Sequence, residues 1–187
     1  MKLSEHKELK VEILAMPPKE KDKLLLRLVA KDKVLTEHLH FLLLEDESNL
    51  RDRVANIKEE ILTIMQSLDT KKVNAKDVLT NLRKLAKLVN HNFRVTKTNF
   101  EDVELRVFLF NNTITQFKTT VYASFKNYEQ LFASYFVKST LVTLRKFYKL
   151  HEDLQFDLRE EMNRLLAKIY QGKMASTAIE LKLPETL

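Results

Sequence analysis

The sequence predicts an all-α protein, and three observations carry that expectation. The 187-residue chain holds one glycine and three prolines, too little turn chemistry for the many tight reversals of a sheet fold. Leu, Lys and Glu are abundant, and such straight-chain side chains lose little rotamer freedom in a helix. From Thr98 to Gln171 there is neither glycine nor proline, while apolar residues recur three and four apart along much of the chain, the period of one helix face. The length fits one domain, and residues 1–172 are expected to form it, with 173–187 as a C-terminal tail.

Taken in order, the first helix is expected from Ser4 to about Ala15, because Pro17-Pro18 ends it and a residue before proline leaves the α region. Pro18 suits the first turn of a second helix to about Lys31, with Leu24, Leu25, Leu28 and Val29 as its buried side. Asp32 is the expected N-cap of a third helix through about Glu45. Its apolar residues, Val34, Leu35, Leu39, Leu42 and Leu43 on one face and Phe41 and Leu44 off it, predict a helix covered on several sides. Ser48 is expected to cap a fourth helix, where Leu50, Val54, Ile57, Ile61, Ile64 and Leu68 form an unbroken 4-3-4-3-4 stripe. That stripe reads as core-facing, with a dimerising coiled coil as the other option. Asn74 should cap the fifth helix, whose apolar face is Val78, Leu82, Leu85, Val89 and Phe93. Thr98 and Glu101 match a capping box. Beyond them, breaks are expected at Asn111-Asn112-Thr113 and Lys126-Asn127, and Gly172 is the expected helix stop. After it, Ile179, Leu181 and Leu183 alternate with Glu180 and Lys182, which predicts an extended segment over 178–184 seated in an apolar groove of this chain or of a second copy.

Residues 9–45 carry a further pattern. A Leu-x-x-x-Ile-Leu near the Pro-Pro is followed by a charged turn and the run Leu24-Leu25-Leu26-Arg27-Leu28-Val29, then by the joint Lys31-Asp32-Lys33, Val34-Leu35 and the stretch from Leu39 to Leu44. This resembles the helical hairpins of the HEAT and armadillo α-solenoids, over about the first quarter of the chain. The resemblance implies a right-handed α-α superhelix of stacked helical hairpins with a concave binding surface. The longer helices after residue 48 favour the competing architecture, an up-and-down helical bundle.

The composition removes several chemistries. With no cysteine there is no disulfide, thiolate zinc site, iron–sulfur cluster or cysteine nucleophile. A single glycine cannot build a phosphate loop or a nucleophile elbow, and no HExxH occurs. Glu37 and His40 form one Glu-x-x-His, half of what a di-iron bundle would need, so a metal-dependent bundle enzyme is the least favoured reading. The carboxylate pairs Glu59-Glu60, Glu152-Asp153 and Glu160-Glu161 read as solvated faces, and His151 falls on an apolar face if the helix around it is continuous. No catalytic residue, metal or cofactor is expected. The lysine- and glutamate-rich N-terminus does not read as a signal peptide, and no apolar run is long enough to span a bilayer. A cytoplasmic protein without membrane partners is the expectation.

The informative constellation is electrostatic. Residues 1–69 carry 12 cations and 14 acids, residues 70–126 carry 11 and 4, and residues 127–187 carry 9 and 8. The excess of charge therefore sits in the middle. On the fifth helix Lys76, Arg83, Lys87 and Arg94 are spaced 7, 4 and 7, which puts them within an arc of about 40° facing away from the apolar side. Lys71, Lys72 and Lys97 extend the row, and Asp77 is the one acid over 71–97. The candidate binding site consists of Lys76, Arg83, Lys87 and Arg94. The expected role is a non-catalytic scaffold for a partner macromolecule, first of all a protein. Nucleic acid is the alternative, by analogy with HEAT-like DNA glycosylases. A homodimer is compatible with the stripe and the tail.

Overall fold

The computed structural model describes residues 5–68, 73–117 and 127–187. They form helices α1 (Lys7–Ala15), α2 (Pro18–Val29), α3 (Lys33–Leu44), α4 (Glu47–Gln66), α5 (Ala75–Thr96), α6 (Asn99–Asn112), α7 (Tyr128–Phe147), α8 (Glu152–Tyr170) and α9 (Ala175–Glu180). No strand occurs among the described residues, so the protein is all-α. No helix of the described residues is long and apolar enough to cross a membrane. The chain separates into two units, Met1–Glu45 and Asp46–Leu187.

In the first unit α2 packs on α3. The joint is built by Asp32, whose carboxylate accepts from the amides of Val34 and Leu35 at 2.9 and 3.1 Å. Thr36 reinforces it, its hydroxyl donating to the Val29 carbonyl at 2.8 Å. The expected Asp32 cap is therefore present. The first helix begins at Lys7 with His6 before it, later than the Ser4 start expected, and Ser4 lies outside the described residues. The expected burial fails here. No residue of α1, α2 or α3 is buried. Leu25 and Leu28 are 56% and 52% exposed, and Leu42, Leu43 and Leu44 are 62%, 72% and 74% exposed. Periodicity marks which side chains share a face, but coverage needs enough neighbouring mass, and this unit is two short helices and a lead-in.

The second unit holds the core. The α4 stripe faces inward, with Val54, Ile57 and Ile61 buried and Ile64 and Leu68 packed against the core. Its cap is Asp46 rather than Ser48. The Asp46 carboxylate accepts from the Ser48 and Asn49 amides, and the Asn49 side chain accepts from the Asp46 amide at 3.0 Å, completing a capping box. Asn74 caps α5 through the Asp77 amide at 3.0 Å. Val78, Leu82, Leu85 and Val89 are fully buried. Lys97 then closes α5 in the left-handed region, at φ 60°.

Helix α6 is the hub, packing on α4, α5, α7 and α8. That explains why Val103, Leu105, Val107, Leu109 and Phe110 are all buried although they do not share one face. Thr98 precedes α6 without the expected side-chain cap. Its hydroxyl bonds that of Thr96 instead, at 3.0 Å. The aromatic-rich half of the chain supplies edge-on ring contacts, Phe110–Phe136 at 5.1 Å and Phe117–Phe132 at 5.2 Å, the geometry that ring quadrupoles favour.

The break at Asn111–Thr113 is present, since α6 ends at Asn112. Lys126 lies outside the described residues, and Asn127 caps α7 through the Gln130 amide at 3.1 Å. A further break separates α7 from α8 at Tyr148–His151. His151 is consequently the N-cap of α8 with its side chain 73% exposed, and not a core histidine. Gly172 does follow the end of α8, and a Cβ there would sit 3.1 Å from the Lys168 carbonyl. The tail is a correction in part. Residues 175–180 are helical and Ile179 is 67% exposed, so no extended strand alternates there. Leu183 is nevertheless buried, and α9 packs on α7 and α8 of the same chain. The Leu187 amide donates to the Asn163 side chain at 2.9 Å, and the Tyr170 hydroxyl donates to the Leu183 carbonyl.

Candidate acidic-partner interface

The four candidate residues, Lys76, Arg83, Lys87 and Arg94, are all exposed along α5. Their neighbours on the solvent side include Thr80, Asn90 and His91, also exposed. Lys97 prolongs the row and is exposed, while Lys71 and Lys72 lie outside the described residues.

The neighbouring helix α7 shares this surface. Lys76 Nζ lies 5.8 Å from the Tyr128 ring centroid, and Arg83 Cζ lies 5.2 Å from that of Tyr135. Both pairs are one heptad apart on each helix, so α5 and α7 run parallel in register, a constant 52 residues apart at both contacts. Lys146 over Phe93, at 4.3 Å, continues the register toward the C-terminal ends. Each cation lies over the negative face of a ring, which holds the α5 side chains against the α7 surface.

Beside these tyrosines on α7, Leu131, Lys138, Val142 and Arg145 are exposed, as is Lys149 just past the helix end, all within an arc of about 60°. The tyrosines lie between this row and the α5 row. The result is one face with cations on two helices, two tyrosines along its middle and two exposed apolar side chains, Leu131 and Val142, at 42% and 45% exposure. The acids of these two helices are Asp77 and Glu129, each in a first turn, where a carboxylate complements the helix dipole.

A buried charge network underlies the face. Asp102 of α6, with a side chain 1% exposed, accepts from Arg106 Nε at 2.9 Å and from Lys146 Nζ. Arg106 also donates to the Asn90 side chain of α5. One carboxylate thus ties α6 to α7 directly and to α5 through Arg106, and it fixes the register in which the tyrosines meet the cations. A lone buried carboxylate is costly, but one with two cationic donors is compensated.

Sequence reasoning located the α5 row but not its α7 half. The signal was present in the spacing. Lys138, Arg145 and Lys149 are 7 and 4 apart, as are Lys76, Arg83 and Lys87 on α5. Glu129 is the one acid from Tyr128 to Phe147.

The other residues singled out by sequence do not converge. His40 Nδ1 lies 2.9 Å from Glu45 Oε1, and Glu161 meets Arg164 at 2.9 Å. Among the described residues no three His, Asp or Glu side chains come together as a metal would require. Among the same residues Lys168 of α8 is the strongly shifted group. Its ammonium donates to the carbonyls of Phe110, Asn111 and Thr113 at 3.1, 2.6 and 2.6 Å, satisfying the C-terminal end of α6. Burial pulls its pKa down from 10.5 to about 8.

No family model, curated protein or solved structure matches this chain.

Proposed function

We propose that the chain is a non-catalytic helical binding module whose α5/α7 face takes an acidic protein surface. The observation that carries this is the continuous face itself: cations in matched 7-and-4 spacing along α5 and along α7 to just past its end, interspersed on the α7 side with exposed Leu131 and Val142. A mixed basic and apolar face suits a protein partner, whose interface combines an apolar centre with charged contacts. The two tyrosines have cations over their rings, so they are not open platforms for stacked bases.

Nucleic acid is the second reading, favoured by the row of exposed cations on α5, where each phosphate contact would add salt-dependent affinity. Fluorescence anisotropy with a glutamate-rich peptide, a short duplex DNA and a short RNA, each across a salt series, separates the two. The expected result is salt-sensitive binding of the peptide that weakens when Arg83 and Lys87 are reversed to Glu. Tighter binding of DNA or RNA at equal salt would transfer the face to nucleic acid. Absence of binding to all three would remove both readings.

A further inference from the structure

Three pairs of cations crowd one end of the α5/α7 face. In the 52-residue register set by the tyrosine contacts, Lys87 comes level with Lys138, Arg94 with Arg145 and Lys97 with Lys149, each to within one residue. All six are exposed, and none makes an ion pair among the described residues. From Lys87 to Lys97 the rise is only about 15 Å. The acids of the two helices, Asp77 and Glu129, sit in the first turns at the opposite end. Helix dipoles account for Arg94 and Arg145, which lie in last turns. They do not account for Lys87 and Lys138, each nine residues before its helix ends at Thr96 or Phe147. Like charges held level repel one another, and acids laid between them remove that cost.

The spacing selects the shape of the occupant. Successive pairs are seven and then three or four residues apart, the period of one helix face. A helix laid along the α5/α7 boundary repeats on the same spacing and meets every pair. An extended segment advances about 3.3 Å per residue, so the seven-residue step of about 10.5 Å falls on its third residue, whose side chain points the opposite way.

Apolar side chains mark the centre line. With Tyr128 at zero, Leu131 and Val142 lie at about 300° and 320° around α7, whereas Lys138 and Arg145 lie at about 280° and 260°. The apolar pair is therefore on the tyrosine side, toward α5, with the α7 cations outside it and the α5 cations across from it. Such a face complements a helix whose apolar stripe is flanked by acids on both edges, as e and g charges flank the a and d seam of a coiled coil. On the reading that this face takes an acidic protein surface, we infer that the occupant is an amphipathic α-helix of the partner, with acids over the three cation pairs and apolar residues on Leu131 and Val142.

Two labelled peptides of identical composition, rich in Glu and Leu, test this on the full chain by fluorescence anisotropy and circular dichroism. One carries its acids on both edges of a leucine stripe of helical period, and the other is a scramble of it. The expected result is at least tenfold tighter binding of the patterned peptide, with a gain of helical signal on mixing. Leu131→Gln/Val142→Gln should remove that advantage and leave the affinity of the scramble unchanged. Both side chains are exposed, so the variant should keep the fold. Equal or weaker affinity for the patterned peptide, no gain of helical signal, or an advantage that survives the double variant overturns the inference and leaves the acidic-partner reading standing. Absence of binding by both peptides removes that reading as well.

Discussion

Arg83 and Tyr135 are stacked across the α5/α7 boundary, 5.2 Å from guanidinium carbon to ring centroid. The contact repeats that of Lys76 with Tyr128 one heptad earlier. It makes Arg83 a residue with two duties, holding α7 and presenting charge.

Arg83→Met should separate those duties. The aliphatic stem is largely retained, and the loss of the cation over the ring should cost about 0.5–1 kcal/mol at an exposed site. Chemical denaturation would measure that small loss, while binding of the acidic peptide should fall and its salt dependence flatten.

Asp102→Ala should be far more damaging. It leaves Arg106 and Lys146 without the buried carboxylate they share, and breaking a buried pair costs about 3–5 kcal/mol. Urea unfolding reads the loss. An effect within error would mean that solvent replaces the carboxylate at no cost.

Ile61→Ala should cost about 2–5 kcal/mol, because Ile61 is fully buried in the middle of the α4 stripe. A shift within error in thermal or urea unfolding would mean that the stripe is exposed in solution or used only in a dimer.

How far these features could be read from sequence differs by kind. Short polar residues at helix starts were legible in part: Asp32 and Asn74 cap their helices as expected, while Asn127, read only as part of a break, caps α7. Asp46, two residues earlier and not singled out by the spacing, takes the role assigned to Ser48. The α7/α8 break was invisible because no glycine or proline marks it. It is made by tight backbone bonds, Lys149 to Lys146 and Leu150 to Phe147, both 3.0 Å. The α7 half of the basic face needed the pairing of α5 with α7, which a single-helix reading does not contain. The hairpin leucines failed for a different reason, since a periodic face says nothing about whether anything covers it.

Deleting residues 181–187 should lower the melting temperature without changing the oligomeric state. Leu183 is buried, and the last residue is tied to Asn163 and Arg159 of the same chain. Calorimetry and light scattering check the two halves. A conversion of dimer to monomer would show that the tail serves a second copy.

Lys168 gives a pH signature with a defined sign. Its folded-state pKa, about 8, lies below the value of 10.5 for a free lysine, so the unfolded chain binds this proton more strongly. The contribution of this group to stability is therefore lowest below pH 8 and rises as the pH climbs toward 10.5. Wild type compared with Lys168→Met in urea at several pH values should show the wild type gaining relative stability across that window. A constant difference would mean that the three carbonyls hold the ammonium charged throughout.

The packing of α6 against α4 and α5 before it, and α7 and α8 after it, has a kinetic consequence. The helices it joins are never more than two steps away in chain order, yet its contacts with α7 and α8 reach 44 residues along the chain from Asp102 to Lys146 and 58 from Phe110 to Lys168, so those loops carry a closure cost that helix formation alone does not. During synthesis α4, α5 and α6 can assemble as soon as they have emerged, before α7 exists, leaving a seat on α6 ready for each later helix. Contacts around Leu105 on α6 then form early and set the folding rate, whereas those of Leu183, the last to be seated, act mainly by slowing unfolding.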